Sequence, residues 1–217
     1  MNLNTFKKYF AGLLFVLFGM MALSASAYDL RVVHLGDSHV AGKIFPRATH
    51  SRLTQRFPNK VTYQFVAKPG AYLADFLNQR TLNRVAAMKP NLLVVSIGTN
   101  ESYAPNFNQA KFRADLRRFM HMYSPVCRAI VFSTPPGNYR NGQINPKGRL
   151  VANIQKELAG PLGYWVYDLY GAAGPAYWRN GGMMDRQGVH FNARGYSQHG
   201  QMLGDWIASN VTKNARS

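Results

Sequence analysis

Four residues, far apart in the chain, have the types and contexts needed to activate a serine for attack on a carbonyl group. Ser38 stands in a Gly-Asp-Ser motif directly after an apolar run, and its hydroxyl becomes a nucleophile only when a base takes its proton. His190, just before the last helical pattern, could take that proton and return it to a leaving group. Asn100 and Gly70 each follow another apolar run, where a side-chain amide and a close backbone N–H could stabilise an oxyanion.

Each of these residues also has an ordinary structural explanation. Ser38 could cap a helix, Asn100 could cap a turn or a helix, and Gly70 could be a turn glycine. The chemical interpretation therefore depends on whether the elements that carry these residues meet at one place.

Five apolar runs predict the strands that must position these residues. They are short, rich in Val, Ile and aromatic residues, and mostly not alternating, which is typical of strands buried on both faces. The predicted strands are Leu30–Leu35, Val61–Ala67, Leu92–Ile97, Ala129–Ser133 and Tyr164–Asp168. The predicted helices are Ala71–Met88, Phe107–Tyr123, Pro146–Leu158 and Ala193–Val211. This alternation predicts an α/β fold with a parallel sheet and helices on both faces.

The carboxyl edge of such a sheet is where open α/β folds bind ligands. Three of the four candidate residues follow a predicted strand, so this edge would bring them together. Two segments rich in Gly, Pro and Asn, Pro135–Pro146 and Gly171–Gly188, are predicted to be loops at the same edge. Trp178 lies in the second loop and is predicted to bind substrate by stacking on a sugar ring.

His190 has the best chemical context of the six histidines. His34 falls within a predicted strand, and His121 and His199 fall within predicted helices, where core or surface roles suit them. His39 could line the pocket, but it would point away if a helix starts at the nucleophile. No cluster of histidines and acids has metal-ligand spacing, so neither a metal nor another cofactor is predicted.

The first 27 residues have the pattern of a secretory signal peptide. Lys7 and Lys8 precede an apolar stretch, Tyr9–Leu23, and small residues follow at the positions that a signal peptidase recognises. Cleavage is predicted after Ala27, which leaves residues 28–217 as a single domain in the periplasm or outside the cell. An uncleaved membrane anchor is the alternative, but the stretch is shorter than the about 20 apolar residues that a spanning helix needs. No stable membrane anchor is predicted after cleavage.

The chain is strongly basic, with 26 Lys and Arg residues against 9 Asp and Glu residues. Such a surface favours anionic partners, although net charge also serves solubility alone. For an exported protein, cell-wall polymers and anionic lipid surfaces are nearer partners than nucleic acid, which is not predicted to bind. The single cysteine, Cys127, begins an apolar run and is predicted to be a buried, inert thiol.

Together, the four segments resemble the SGNH/GDSL hydrolase family. Their order and spacing match, and the resemblance extends over most of the chain. It implies a three-layer α/β/α flavodoxin-like fold with a five-stranded parallel sheet. It also implies Ser38 as the nucleophile, His190 as the base, and an oxyanion hole formed by the N–H groups of Ser38 and Gly70 and the amide of Asn100.

Within that family, the chain looks most like bacterial peptidoglycan O-acetylesterases. The motifs that carry this similarity are Gly36-Asp37-Ser38-His39, Ser96-Ile97-Gly98-Thr99-Asn100-Glu101, Thr134-Pro135-Pro136 and Val189-His190-Phe191 with Gly195-Tyr196. The resemblance implies an exported serine esterase that deacetylates O-acetylated peptidoglycan or a related cell-wall glycan. The alternatives are a lipid or thioester hydrolase, an acetyltransferase that uses the same serine, and a non-catalytic wall-binding protein with the same fold.

One position departs from the family pattern. The family usually has an aspartate three residues before the histidine, and this chain has Gln187 there. A glutamine can orient an imidazole but cannot balance its positive charge. Asp185, five residues before His190, is the predicted third catalytic member. A Ser–His dyad supported by a backbone carbonyl and a damaged, weakly active site are the alternatives.

Overall fold

The computed structural model describes residues 29–58, 60–140 and 143–214 of the 217-residue chain. The predicted signal peptide and its cleavage site lie outside the described residues. Across the described part of the chain, no helix combines the length and the apolar character that crossing a bilayer would require.

Five parallel strands form the central sheet, and they are the five that the apolar runs predict. They are β1 (Leu30–Gly36), β2 (Val61–Ala67), β3 (Leu92–Ser96), β4 (Ala129–Ser133) and β7 (Trp165–Tyr167). Their spatial order is β2-β1-β3-β4-β7, so the order reverses between β1 and β3. In open parallel sheets, such a switch point creates a crevice at the carboxyl ends of the strands, where ligands bind.

Helices connect the strands. They are α1 (Ser38–Ala41), α2 (Ile44–Arg56), α3 (Gln79–Ala87), α4 (Thr99–Tyr103), α5 (Gln109–Tyr123), α6 (Pro146–Ala159), α7 (Leu169–Asn180) and α8 (Ala193–Asn214). Short 3₁₀ turns occur at Leu73–Phe76, Ser124–Val126 and Gly160–Leu162. A separate two-stranded antiparallel ladder is formed by β5 (Tyr139–Arg140) and β6 (Gln143–Ile144).

Two apolar cores lie on opposite faces of the sheet. Successive residues of β3 alternate between them, with Leu93 and Val95 in one core and Leu92 and Val94 in the other. Residues of α3, α5 and α6 pack in the first core, and residues of α2 and α8 pack in the second. All of β3 is buried, which explains why that run is apolar throughout. The fold is therefore a three-layer α/β/α arrangement, as the family resemblance implies.

Helix α2 is absent from the predicted elements, and its packing shows why. Its apolar residues do not gather on one helical face, so the sequence gives no amphipathic period. Instead, the small residues of α8 let the two helices approach closely. A Cβ on Gly200 would run into the carbonyl oxygen of Phe45, and one on Gly204 would lie 2.8 Å from Arg52 Cβ. Arg52 Nε also pairs with Asp205 Oδ1 at 2.7 Å.

Two other segments differ from the prediction. The predicted helix Ala71–Met88 is a 3₁₀ turn followed by α3, because Asn78 caps a new helix there by accepting the Thr81 N–H at 2.9 Å. The predicted loop Gly171–Gly188 is helical as far as Asn180. Its helix, α7, has a kink at Gly174, where φ is 59° and ψ is 160°, a conformation that glycine tolerates.

His34 lies on β1 and is completely buried in the core. Its ring meets that of Phe45 edge-on, with 5.4 Å between the centroids. Within the described residues, neither ring nitrogen of His34 has a hydrogen-bond partner. Burial lowers the pKa of His34 to about 3, and nearby His199 and His50 contribute in the same direction. Folding therefore keeps this imidazole neutral over a pH range in which the unfolded chain protonates it.

We expect acid to destabilise the protein in part through His34. Between pH 6.5 and about 3 the unfolded chain binds a proton at this residue that the folded protein does not bind. The free energy of unfolding therefore falls as the pH falls, with a slope of roughly 1.4 kcal/mol per pH unit for one such group. When the free energy of unfolding is measured by urea unfolding at several pH values in this range, its change per pH unit should be smaller by that amount in His34→Leu.

The exposed His121 offers a matched control for this measurement. His121→Leu removes an imidazole from a solvated helix surface, so the slope should stay close to that of the native protein. This pH dependence does not come from His34 if His34→Leu keeps the native change in unfolding free energy per pH unit, or if the two variants alter it equally.

Candidate active site

The turn after β1 places Ser38 at the carboxyl edge of the sheet. Gly36 ends β1 so close to β3 that a Cβ there would run into the carbonyl oxygen of Ser96, so the turn requires glycine. Asp37 then caps α1, because its Oδ1 accepts the His39 N–H at 3.0 Å. Ser38 is the first residue of α1, so its backbone N–H belongs to the first helical turn and has no acceptor inside the helix.

Ser38 and His190 are in hydrogen-bonding contact. Ser38 Oγ lies 2.8 Å from His190 Nε2, although the two residues are 152 positions apart in the chain. At this distance a hydroxyl can pass its proton to an imidazole that acts as a base. The side chain of His190 is 38% exposed, so the pair is accessible to a substrate. The structure thus brings together the two residues that the sequence predicts to act as nucleophile and base.

A short antiparallel turn carries His190. Met184 and Phe191 pair across an isolated bridge, and in the next pair inward Asp185 N donates to His190 O at 2.8 Å. Near the tip of the turn, Gly188 has a φ of 72°, which favours glycine. Directly opposed residues of an antiparallel pair project to the same side. The turn therefore places the Asp185 side chain beside that of His190.

Asp185, and not Gln187, is the side chain at the His190 ring. Asp185 Oδ2 lies 3.5 Å from His190 Nδ1, while Asp185 Oδ1 accepts the Val189 N–H at 3.1 Å. The first distance is longer than a hydrogen bond but short enough for the carboxylate to stabilise an imidazolium electrostatically. Gln187 is exposed, and within the described residues its side chain makes no hydrogen bond to the ring. The five-residue spacing is thus compatible with an acid at His190.

The three predicted oxyanion donors lie at the ends of the neighbouring strands β1, β2 and β3. Gly70 has a φ of 73°, and the space that a Cβ would take is open. Asn100 Nδ2 donates to Ala71 O at 2.8 Å. The same nitrogen lies 3.5 Å from Asp37 Oδ2, which is too long for a strong bond, so an oxyanion would compete for this N–H with only a weak acceptor. Within the described residues, the N–H groups of Ser38 and Gly70 have no acceptor.

Asp37 is almost completely buried at the nucleophile turn. Burial raises the pKa of Asp37 to about 7, an effect that the His39 N–H opposes and the nearby Glu101 carboxyl reinforces. A carboxyl group that is partly neutral near pH 7 puts less negative charge beside a developing oxyanion, which a full charge would repel. Asp37 therefore holds the turn as a cap at little electrostatic cost to the site.

His39 is a part of the site whose role the sequence leaves open. Its ring is buried and lies 5.1 Å, centroid to centroid, from the ring of His190. The hydroxyl of Tyr196, on α8, lies 3.2 Å from His39 Nδ1. Burial lowers the pKa of His39 to about 3, and His190 adds to this effect. His39 is therefore a neutral ring packed against the base, and its position directly after the nucleophile is the only sequence signal for that role.

The prediction that Trp178 binds substrate is wrong. Trp178 is completely buried, and its ring packs against that of Phe191 with 4.6 Å between centroids. The physical reason is that this segment forms α7 and not a loop, which turns Trp178 into the core while the neighbouring Tyr177 stays 46% exposed. Through Phe191, Trp178 supports the turn that carries His190.

Cys127 and the acidic side chains give no sign of a second reactive centre in the described part of the chain. Burial raises the pKa of the Cys127 thiol to about 12, so the thiol is not a nucleophile at neutral pH. Among residues 29–58, 60–140 and 143–214, no group of three or more His, Cys, Asp or Glu side chains is placed to hold a metal ion.

The chain matches one protein family over most of its length. Residues 34–198 match the model of the GDSL-like Lipase/Acylhydrolase family. The protein belongs to this family. Membership makes it a carboxylic ester hydrolase, and the matched segment contains Ser38, Gly70, Asn100 and His190. No curated protein matches the chain.

Solved structures with the same fold include three hydrolases. A peptidoglycan O-acetylesterase has a TM-score of 0.76 and 15% sequence identity, with 87% of this chain and 93% of that chain covered. A lipase/acylhydrolase from Enterococcus faecalis has a TM-score of 0.70 and 21% sequence identity, with 83% of this chain and 96% of that chain covered. A catalytic mutant of an acetylxylan esterase from Geobacillus stearothermophilus has a TM-score of 0.63 and 15% sequence identity, with 81% of this chain and 93% of that chain covered. At these identities, the likeness shows the shared fold.

We expect Asp185→Asn to lower kcat for a small aryl acetate by at least about tenfold, and by no more than the roughly 10⁴-fold that a comparable change causes in a serine protease. The neutral amide cannot stabilise the imidazolium that forms when His190 takes the serine proton. Gln187→Ala is the control and should keep the native kcat, because Gln187 is exposed and, within the described residues, makes no hydrogen bond to the ring. Steady-state rates over a range of substrate concentrations measure both. A loss below tenfold in Asp185→Asn would instead indicate a Ser–His dyad, and a larger loss in Gln187→Ala than in Asp185→Asn would assign the supporting role to Gln187.

Proposed function

We propose that the protein is an exported serine esterase that removes acetyl groups from O-acetylated peptidoglycan or a related cell-wall glycan. The observation that carries this proposal is the 2.8 Å contact between Ser38 Oγ and His190 Nε2, at the sheet edge where Gly70 and Asn100 offer N–H donors. Family membership supplies the reaction class. The acetyl group, the glycan and the roles of the individual residues are the proposed part.

In the first half of the reaction, His190 Nε2 accepts the proton of Ser38 Oγ as this oxygen attacks the ester carbonyl carbon. The N–H groups of Ser38 and Gly70 and the amide of Asn100 stabilise the resulting oxyanion, and losing one such donor typically costs about 10²–10³ in turnover. Asp185 stabilises the imidazolium. When the intermediate collapses, the bond to the sugar oxygen breaks, that oxygen leaves with the proton from His190, and an acetyl ester remains on Ser38.

In the second half, a water molecule takes the place of the sugar alcohol. His190 Nε2 accepts a proton from the water as its oxygen attacks the acetyl carbon, and the same donors stabilise the second oxyanion. Collapse breaks the bond to Ser38 Oγ, which regains a proton from His190, and acetate is released. The partial exposure of His190 gives water access to the base.

The charge distribution supports an anionic polymer as the substrate. Nine acidic residues face 26 basic ones. Five of the acids form ion pairs with Lys or Arg, namely Asp75, Asp115, Glu157, Asp168 and Asp205. Asp37 and Glu101 are buried, and Asp185 lies at His190. Most basic side chains therefore have no acidic counterpart, and their combined field attracts polyanions such as a carboxylate-bearing wall polymer.

The named activities of the structural neighbours support an acetylated glycan. One neighbour is a peptidoglycan O-acetylesterase and another is an acetylxylan esterase. Both names describe release of a short acyl group from a polysaccharide. Together with the motif resemblance, they favour acetyl over longer acyl groups for this chain.

Export is proposed from the N-terminal sequence. The basic residues, the apolar stretch and the small residues before Tyr28 have the order of a signal peptide. Cleavage after Ala27 would release a single mature domain into the periplasm or the medium, where wall polymers are found.

A lipid or thioester hydrolase is the second candidate, because the family and one neighbour are named for lipase and acylhydrolase activity. Aryl esters of increasing acyl length separate the two functions. An acetylesterase hydrolyses the acetyl ester fastest, whereas kcat/KM that rises with chain length would favour the lipid hydrolase. An acetyltransferase would pass the acetyl group from Ser38 to a sugar hydroxyl and release little acetate.

We expect the mature protein to release acetate from purified O-acetylated peptidoglycan. Ser38→Ala should lower this rate, and the rate on an aryl acetate, by at least about 10³, because no other group can form the acyl-enzyme. Ser51→Ala, which changes an exposed serine of α2, is the matched control and should keep native rates. Native rates in Ser38→Ala would refute the serine mechanism. Aryl acetate hydrolysis without acetate release from the purified peptidoglycan would refute the proposal that peptidoglycan is the substrate.

A further inference from the structure

A cleft of about 190 Å³ opens between the segment after β2 and the start of α5. Neither residue of the Ser–His pair lines it. Its walls include Tyr72, Glu101, Asn106, Phe107 and Phe112. Tyr72 follows Gly70 by two positions, and Glu101 directly follows Asn100. The cleft therefore adjoins two of the proposed oxyanion donors without being part of the catalytic pair.

Two consecutive side chains of α4 connect the cleft to residues 70–73, the segment that contains Gly70 and is called the oxyanion segment below. Glu101 Oε1 accepts the Leu73 N–H at 2.5 Å, and Asn100 Nδ2 donates to Ala71 O at 2.8 Å. Ala71 and Leu73 flank Tyr72, whose side chain is 43% exposed. A group bound against Tyr72 therefore contacts the same short segment that carries the oxyanion glycine.

Glu101 lines the cleft and has a buried hydrogen-bond acceptor without a partner. The residue is only 5% exposed, and within the described residues its second oxygen, Oε2, has no hydrogen bond. Burial raises the pKa of Glu101 to about 7, an effect that the Leu73 N–H opposes. A buried polar atom without a partner is costly to the fold. An N–H group of a ligand would remove that cost.

The remaining walls are mostly apolar and carry no net charge. The rings of Phe107 and Phe112 lie 5.7 Å apart, and the exposed ring of Tyr72 adds a flat apolar face. Lys111 and Asp115, which also line the cleft, neutralise each other in an ion pair. The cleft therefore suits an uncharged ligand that has an apolar group for these walls and a hydrogen-bond donor for Glu101.

An N-acetylated sugar residue has this chemistry. Its acetamido group combines one N–H donor with an apolar methyl group, and its pyranose ring has a C–H face that can lie on an aromatic ring. A xylose residue has hydroxyl groups but neither the amide N–H nor the methyl group. The unpartnered oxygen of Glu101 matches the amide N–H and the apolar walls match the methyl group, so the cleft favours the N-acetylated sugar.

We propose that this cleft binds an N-acetylhexosamine residue of the acylated glycan, next to the residue that carries the ester. The acetamido N–H donates to Glu101 Oε2, the methyl group packs against Phe107 and Phe112, and the sugar ring lies on Tyr72. This inference rests on the proposed function and adds to it the type of sugar. Because Tyr72 belongs to the oxyanion segment, the bound sugar also helps to hold that segment in place.

Binding of two uncharged trisaccharides tests the proposal. Chitotriose, which contains only N-acetylglucosamine, and xylotriose, which has no acetamido group, are titrated into the mature protein and followed by NMR chemical shifts. We expect chitotriose to bind at least about tenfold more tightly than xylotriose, which corresponds to about 1.4 kcal/mol. Equal affinities, or tighter binding of xylotriose, would overturn the proposal.

Three variants locate the binding site. Tyr72→Ala should weaken chitotriose binding at least about fivefold, since it removes the stacking face. Glu101→Gln can still accept the Leu73 N–H but presents an amide donor in place of the free carboxyl oxygen, so it should weaken chitotriose more than xylotriose. Tyr177→Ala removes a similarly exposed tyrosine outside the cleft and should have no effect. Loss of binding in Tyr177→Ala, with none in Tyr72→Ala, would place the sugar elsewhere and overturn the proposal.

A catalytic measurement separates failure of this inference from failure of the proposed function. For each variant, kcat/KM on an O-acetylated chitotriose is divided by kcat/KM on an aryl acetate. We expect this ratio to fall at least about fivefold in Tyr72→Ala, mainly through KM. An unchanged ratio in an enzyme that is still active overturns only the proposal that the cleft binds a sugar. Aryl acetate hydrolysis that survives Ser38→Ala overturns the proposed serine esterase function, on which the proposal for the cleft depends.

Discussion

The hydrogen bond between Ser38 Oγ and His190 Nε2 joins two distant parts of the chain, and much of the fold serves to keep these atoms 2.8 Å apart. On one side, the end of β1 and the short α1 fix the serine. On the other side, the turn of residues 184–191 presents the histidine, and the ring of Phe191 anchors this turn by packing on the buried Trp178. Because both supports pack in the same apolar core, the nucleophile and its base meet before a substrate arrives. Such preorganisation is where an enzyme of this type gains most of its rate.

Burial suppresses the charge of four titratable groups near the active site. Burial lowers the pKa values of His39 and His199 to about 3 and raises those of Asp37 and Glu101 to about 7. The histidines are therefore neutral at pH 7 and the carboxyl groups partly so, which leaves the proton of the catalytic base as the main charge that moves. The two kinds of group affect stability with opposite signs. The buried histidines weaken the fold as the pH falls below 6.5, whereas the buried carboxyl groups weaken it as the pH rises toward 7.

The strands and the Ser–His contact are predictable from the sequence, because continuous apolar runs mark strands buried on both faces and polar residues at their ends must share one edge. Helix α2 is not predictable in this way, since close approach to Gly200 and Gly204, and not its own pattern, holds it in place. The role predicted for Trp178 fails because a Gly- and Pro-rich segment forms a kinked helix. Spacing alone also could not choose between Gln187 and Asp185. That choice depends on an antiparallel turn whose pairing appears only in three dimensions.

Covalent labelling with a 4-nitrophenyl alkylphosphonate tests most directly whether the Ser38–His190 hydrogen bond activates the serine. The phosphorus atom of this reagent takes the place of the ester carbonyl carbon, and only an activated hydroxyl displaces nitrophenolate from it. Mass spectrometry of the intact protein and its peptides then counts and locates the adducts. We expect a single adduct, on Ser38, that forms at least about 10³-fold more slowly in His190→Ala. Equal labelling rates in the native protein and in His190→Ala, or an adduct on another residue, would contradict the central claim.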